Sequence, residues 1–252
     1  MTPPSREDQR RSFGAAADVY DRARPRYAVA ALDWAIGDRP LHVLDLGAGT
    51  GILTRQLLEL GHRVTSVDPN EQMLAKLAAV TSATDARLGS AEQIPLPDGS
   101  VDAAVAGQAY HWFNPTTAND EIARVLRPGG VFAAIWNLRD SSASWVGELS
   151  ALLSDLEDDN RKGPPDYSFG PRFTPVERAE FPNAADYTAD SLVELVQSRS
   201  YYLVSPPDQR AAMDTKIRTL VAEHPDLAGR PSFTMPYLTV VLRARRVSSL
   251  SR

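Results

Sequence analysis

Val43-Leu44-Asp45-Leu46-Gly47-Ala48-Gly49-Thr50-Gly51 passes from an apolar run into a turn with almost no side-chain bulk. Leu41 to Leu46 read as a buried strand. Ile52, Leu53, Leu57, Leu58 and Leu60 recur at helical spacing, so the glycines stand where a strand becomes a helix. Glycine reaches positive φ and lets a ligand approach the backbone, while the first free N–H groups of a helix and its dipole favour a negative group. The turn therefore predicts a ligand site.

Outward from it, the chain alternates strands and helices. Arg63 to Asp68 form a second strand with Asp68 at its carboxyl end. Pro69-Asn70 then open a helix whose Met73, Leu74, Leu77 and Val80 face a sheet. Ala86 to Gly89 give a short third strand, Ser90 to Ser100 a loop rich in proline and acid, and Val101 to Gly107 a fourth strand followed by Gln108-Ala109-Tyr110-His111-Trp112-Phe113. Asn114-Pro115 start a helix ended by Arg127-Pro128-Gly129-Gly130, and Val131 to Trp136 form the fifth strand. Such alternation predicts an α/β fold with a doubly wound, mainly parallel sheet whose strands end on one edge, where ligands bind. Gly47 to Gly51, Asp68, Ser90 to Glu92 and Gln108 to Phe113 should converge there.

Beyond Trp136 the pattern loosens. Trp145 to Leu156 read as a helix, Arg161 to Pro182 as a loop, and Thr188 as the N-cap of a short helix ending near Gln197. Ser200 to Val204 suit a sixth strand, Pro206 to Glu223 a helix and Phe233 to Arg243 a seventh strand. Upstream, Phe13 to Leu32 mix aromatic residues and arginines with alanines. They predict either a helix capping the sheet or a lid in which Tyr20, Arg24 and Tyr27 cover the ligand, with Pro25 breaking the helix.

Composition narrows the function. A chain of 252 residues, 43% hydrophobic, can bury a sizeable core. The net charge of −5 offers no footprint for a nucleic-acid backbone, and the basic runs Arg10-Arg11 and Arg243 to Arg246 are short. The absence of cysteine excludes disulfides, thiolate metal ligands and a cysteine nucleophile. No apolar run reaches the roughly 18 residues of a membrane span, and the polar N-terminus lacks the apolar core of a signal peptide, so the expected location is the cytoplasm. His42, His62 and His224 have no matching partner pattern, and no metal site is assigned.

Taken in order, Val-Leu-Asp45-Leu-Gly47-Ala48-Gly49-Thr-Gly51, Val-Asp68-Pro69, Ala91-Glu92-Gln-Ile-Pro-Leu-Pro-Asp-Gly-Ser-Val-Asp102 and Arg-Val-Leu-Arg-Pro-Gly129-Gly130 resemble a class I S-adenosylmethionine-dependent methyltransferase of the small-molecule type, the methyltransferase type 11 group. The resemblance covers roughly residues 13 to 137, and the tail is similar to single-domain relatives of the trans-aconitate type. It implies a seven-stranded Rossmann-like sheet and S-adenosyl-L-methionine as cofactor. It further implies a single domain over 1–252: lid helices in 1–40, a cofactor-binding core in 41–137, an insertion forming a substrate roof in 138–200, C-terminal strands and helix in 201–246, and a tail in 247–252.

Under that resemblance Asp45 meets the cofactor's ammonium, Gly47, Ala48, Gly49 and Gly51 offer backbone groups, and Asp68 takes the ribose hydroxyls. Pro69 and Met73 flank the adenine, and Ser90, Ala91 and Glu92 reach its edge, although relatives often carry Asp where this chain has Ser90. Gln108 completes the cofactor cleft, and Tyr20 and Arg24 approach its carboxylate end. Methyl transfer is an in-line displacement, and a base is needed only when the acceptor carries a proton it cannot shed. His111 is the candidate base, with packing as its other reading. The acceptor pocket is expected from Tyr110, His111, Trp112, Trp136 and Arg139, the loop Tyr167 to Phe173 with Arg172, and Tyr201 and Tyr202. A small-molecule acceptor is expected, with O-methylation of a carboxylate or phenol favoured.

Two other functions fit parts of the pattern. A nicotinamide-dependent oxidoreductase also needs a glycine turn and an acid on the second strand, but its third small residue would fall at Ile52, and Asp45 would set an anion beside a pyrophosphate. A non-catalytic cofactor-binding module would not need the aromatic cluster at 110–113.

Overall fold

The computed structural model describes residues 21–81, 85–153 and 168–247. Expectations for 1–20, including Tyr20, for Tyr167, for the end of the helix at 154–156 and for the tail at 248–252 lie outside the described residues. The elements are α1 (Val29–Ile36), β1 (His42–Leu46), α2 (Ile52–Glu59), β2 (Arg63–Asp68), α3 (Glu71–Val80), β3 (Asp85–Leu88), β4 (Val101–Gly107), α4 (Pro115–Val125) and β5 (Leu126–Arg139). They continue with α5 (Ser144–Leu153), β6 (Glu177–Tyr187), α6 (Ala189–Gln197), α7 (Ser200–Leu203), α8 (Pro207–Glu223) and β7 (Phe233–Arg245).

The strands form a seven-stranded sheet in the order β3-β2-β1-β4-β5-β7-β6. β1 pairs in parallel with β2 and β4, β2 with β3, and β4 with β5. β7 runs antiparallel to β5: Arg246 N–H donates to the Gly130 carbonyl at one end, and Asp140 N–H to the Pro236 carbonyl at the other. The order reverses at β1 and β4, where the chain leaves β1 for one side of the sheet and later returns on the other. In open α/β sheets that switch point, at the carboxyl ends of the strands, is where ligands sit.

The polypeptide divides into two compact units, Arg26–Asn137 with Gly163–Phe181 and Thr239–Arg252, and Met1–Pro25 with Leu138–Lys162 and Pro182–Leu238. The first has its core between α1, α2 and the sheet, where Leu32, Val43, Leu57, Val105 and Ile135 are buried together. Each such side chain contributes about 1.5–3 kcal/mol of transfer free energy. The second is built around Trp145, Leu149, Leu192, Ile217 and Tyr237.

Local chemistry explains the boundaries. The Asn70 side chain accepts from the N–H of Gln72 and Met73, capping α3. Asn114 caps α4 ahead of Pro115, and Thr188 forms a capping box with Ser191 at the start of α6. Three expectations are corrected. Ser200 to Val204 are not a strand, since Ser200–Leu203 form a helical turn that buries Tyr201 and Tyr202 in the second core. β-propensity gives way there to packing. The strand in that part of the chain is Glu177–Tyr187, in and after what reads as a loop. It lies at the sheet edge, the place where Pro182 is tolerated. The helix does end ahead of Arg127 to Gly130, at Val125, but these residues are the bulged start of β5 rather than a loop before it, with a register shift opposite Val101 and Ala103.

Candidate active site

Asp45 is fully buried in β1, opposite Ser66 of β2 and Val105 of β4. Thr54, one turn into α2, donates its hydroxyl to Asp45 Oδ2 at 2.6 Å, and Ser66 Oγ lies 2.9 Å from the Thr54 oxygen. Among the described residues, Oδ1 of Asp45 has no hydrogen-bond partner. Burial, reinforced by the charge of Asp68 and opposed by the Thr54 bond, pushes the Asp45 carboxyl up to about 7. A buried acceptor left open is costly unless a ligand completes it.

The glycine turn uses its own donors. Gly47 and Ala48 N–H both donate to the Val67 carbonyl, Gly51 N–H to the Ala48 carbonyl, and Gly49 N–H to Asp68 Oδ2 at 2.9 Å. Gly47, Gly49 and Gly51 all have positive φ. A Cβ at Gly47 would lie 2.6 Å from Ala109 Cβ, and one at Gly51 2.9 Å from Leu77 Cγ. Glycine is thus required both by conformation and by close packing. The turn does not form the row of free amides that a pyrophosphate needs, and the open group behind it is an acid. That balance suits an ammonium.

Asp68 ends β2 as its sequence position predicts. Its Oδ1 accepts from Asn70 N–H at 2.8 Å and its Oδ2 from Gly49 N–H, so backbone amides hold both oxygens in place. Met73 is buried behind it, and Pro69 is exposed. On the next loop Ala91 is buried, the Ser90 carbonyl accepts from Gln93 N–H, and Glu92 Oε1 accepts from Asn114 N–H at 2.9 Å. The loop is clamped from α4: Glu121 accepts from Ile94 N–H, and Arg124 donates to the Ile94 and Leu96 carbonyls.

At the end of β4, Gln108 leads into a 3₁₀ turn, Tyr110–Trp112. The turn splits by burial. Tyr110 is in the core, its ring against Phe113, Phe132, Trp136 and Phe169 and its hydroxyl donating to Asn119 Oδ1. His111 and Trp112 are half-buried, their ring centroids 5.1 Å apart. Trp136 is buried as well. The structure therefore brings Asp45, Gly47, Ala48, Gly49, Gly51, Asp68, Met73, Ala91, Gln108, His111 and Trp112 into one unit around neighbouring strand ends.

The remaining expected residues have partners of their own. Arg172 pairs with Asp120 at the surface. In the second unit, Arg24 donates to the Ser198 hydroxyl and carbonyl, Arg139 to Ser150 Oγ, and Tyr202 to Asp214 Oδ2.

Comparison with known proteins agrees with this geometry. A family model described as a methyltransferase domain matches residues 44–134. An uncharacterised methyltransferase of Mycobacterium tuberculosis is 43% identical over 240 residues, covering 95% of this chain and 98% of the relative. The chain belongs to the class I S-adenosylmethionine-dependent methyltransferases. A solved structure from Anaeromyxobacter dehalogenans, described as a type II methyltransferase, has 26% identity and a TM-score of 0.68, covering 88% of this chain and 97% of that one. A malonyl-[acyl-carrier protein] O-methyltransferase of Pectobacterium atrosepticum is 34% identical over 160 residues, 60% of each chain. The methyltransferase uses S-adenosylmethionine, and the open oxygen of Asp45 fits that cofactor's amino group. The oxidoreductase reading falls.

Sequence reading missed Thr54 and Gln56. The apolar spacing of α2 points to Ile52, Leu53, Leu57, Leu58 and Leu60; Leu53 and Leu57 are indeed buried, but Thr54 and Gln56 share their face, while Ile52, Leu58 and Leu60 are partly buried against the core. Thr54 serves Asp45, and Gln56 exchanges two hydrogen bonds with the backbone of Tyr27. The available signal was their sequence phase: both share a helical face with Leu53 and Leu57.

Proposed function

We propose that this methyltransferase acts on a small-molecule acceptor and methylates an oxygen, a carboxylate in preference to a phenol. S-adenosylmethionine supplies a methyl group already activated on a sulfonium, so the protein's work is to hold the acceptor oxygen in line and exclude water. Asp45 receives the cofactor's amino group at Oδ1, and the turn Gly47 to Gly51 forms the adjoining wall. Asp68 takes the ribose hydroxyls; Pro69, Met73, Ser90, Ala91 and Glu92 surround the adenine. His111 and Trp112 face the acceptor, with Tyr110 and Trp136 packed behind them.

The observation that carries the reading is the 3₁₀ turn, which presents two half-buried rings, His111 and Trp112, two and three residues after Ala109, the residue packed on Gly47. The similarity to an enzyme named as an O-methyltransferase of a malonyl group supports a carboxylate acceptor. A carboxylate is already ionised at neutral pH, so His111 orients it rather than removing a proton. The net charge of −5 favours a small molecule over nucleic acid. No helix among the described residues is long and apolar enough to cross a membrane, and we place the enzyme in the cytoplasm.

The test is transfer of radiolabelled methyl groups to panels of carboxylic acids, phenols and amines. The expected product is a methyl ester that releases labelled methanol in base. Label found only in base-stable N-methyl or C-methyl products would refute the assignment. With a carboxylate acceptor, His111→Ala should lower turnover about three- to tenfold without the log-linear loss at low pH that a general base would show.

A further inference from the structure

Among the described residues, Gln108 alone combines a Cβ with a positive φ, at 54°. A residue with a side chain is held in left-handed backbone only where its surroundings over-determine it. Two bonds to β5 do this. Gln108 N–H donates to the Ile135 carbonyl at 2.8 Å, and its side-chain amide Nε2 donates to the Asn137 carbonyl at 3.0 Å.

Asn137 is itself fixed. It is buried, its Oδ1 accepts from the Thr239 hydroxyl at 2.6 Å, and its Nδ2 donates to the Arg26 carbonyl at 3.0 Å. Thr239 Oγ1 in turn accepts from Ala28 N–H at 3.2 Å. The carbonyl that receives Gln108 thus belongs to a strand end fastened on several sides.

The kink has a definite product. Upstream there is no slack, because a Cβ at Gly107 would lie 2.6 Å from the Tyr27 hydroxyl and 2.9 Å from Leu53. Downstream, Ala109 is pressed onto Gly47, and the chain at once closes the turn through Trp112 N–H to the Ala109 carbonyl and Phe113 N–H to the Tyr110 carbonyl. The change of direction between the strand and the His111–Trp112 turn therefore falls on Gln108.

We propose that Gln108 is a positioning residue for methyl transfer: its side-chain amide, anchored on the Asn137 carbonyl, holds the backbone kink that seats the 110–112 turn against the glycine turn. It acts through His111 and Trp112, and its effect does not depend on which acceptor the enzyme uses.

The test separates the kink from the side chain. Gln108→Met keeps the length and the Cβ but cannot donate. Gln108→Gly deletes the side chain but makes left-handed backbone free, and Gln108→Asn is also at ease there while too short to reach Asn137. Each variant is labelled with 5-fluorotryptophan, with Trp112 assigned by Trp112→Phe. Its fluorine spectrum is recorded alone and with S-adenosylhomocysteine. The expected result is a Trp112 resonance shifted or broadened in Gln108→Met and close to wild type in Gln108→Gly and Gln108→Asn, with Trp34 and Trp145 unchanged throughout. Should Gln108→Met fail to fold, Gln108→Ala, which also carries a Cβ and cannot donate, takes its place. A wild-type Trp112 signal in the Met or Ala variant would overturn the proposal, as would a Gly variant as disturbed as they are. Direct contact of the side chain with the cofactor predicts that latter pattern.

Discussion

Asp45 and Asp68 are carboxylates on adjacent parallel strands of one sheet, and the protein treats them in opposite ways. Asp68 stands at the strand end with each oxygen fixed by a backbone amide. Asp45 lies within its strand, buried, with one hydroxyl partner and one open oxygen. Burial opposes ionisation, and the Asp45 carboxyl is driven up to about 7. Two like residues are thereby set in different surroundings, one clamped by backbone amides and the other held by a hydroxyl beside an oxygen left open among the described residues.

The largest expected effect comes from removing the amide-clamped acid. Asp68→Ala should weaken binding of S-adenosylhomocysteine by at least about 100-fold, since the two ribose bonds proposed for it, charge-assisted at roughly 1.5–3 kcal/mol each, would be lost. Calorimetry measures it, and retained affinity would leave Asp68 as a mere brace for Gly49. Next comes the turn that joins the acids. Gly47→Ala should cost about 2–4 kcal/mol, adding a clash with Ala109 to the left-handed strain, whereas Gly49→Ala, which meets nothing within 4 Å, should cost about 1–2 kcal/mol from strain alone. Equal thermal shifts for the two would contradict the packing described.

A smaller effect at Asp45 is read through pH. Asp45→Asn should reduce affinity about tenfold at pH 8 and little at pH 6, because the wild-type group already carries a proton at the lower pH. The stability effect has the opposite sign. A carboxyl raised in the folded state contributes stability that is full below its ordinary value of 3.8 and is lost as pH rises through about 7. The free wild-type protein should therefore lose thermal stability between pH 5 and 8, and Asp45→Asn should flatten that decline.

Much of this region was legible in the sequence. The glycine turn, Asp45 and Asp68 announce themselves because backbone conformation and strand-end position depend on few residues. The α3 and α4 caps could be read from Asn70 and Asn114 for the same reason. The second unit was less legible. Glu177 to Tyr187 alternates exposed with half-buried positions at an edge, which leaves no apolar stripe, and Tyr201-Tyr202-Leu203 carry a strand's composition into a helical turn. Site residues supplied by packing were hidden as well. Thr54 matters because it points at Asp45, and Tyr110 reads as a pocket residue until Phe132, Phe169 and Asn119 surround it.

The contrast between the two acids is tested most directly by titrating the free enzyme with S-adenosylhomocysteine at pH 7 in buffers of different ionisation enthalpy. Binding of the ligand's ammonium beside Asp45 should expel about half a proton, because a group titrating near 7 is about half protonated there. The expected heat changes with the buffer in the wild type and not in Asp45→Asn. A wild-type heat independent of the buffer would contradict the assignment of Asp45 as the titrating acid.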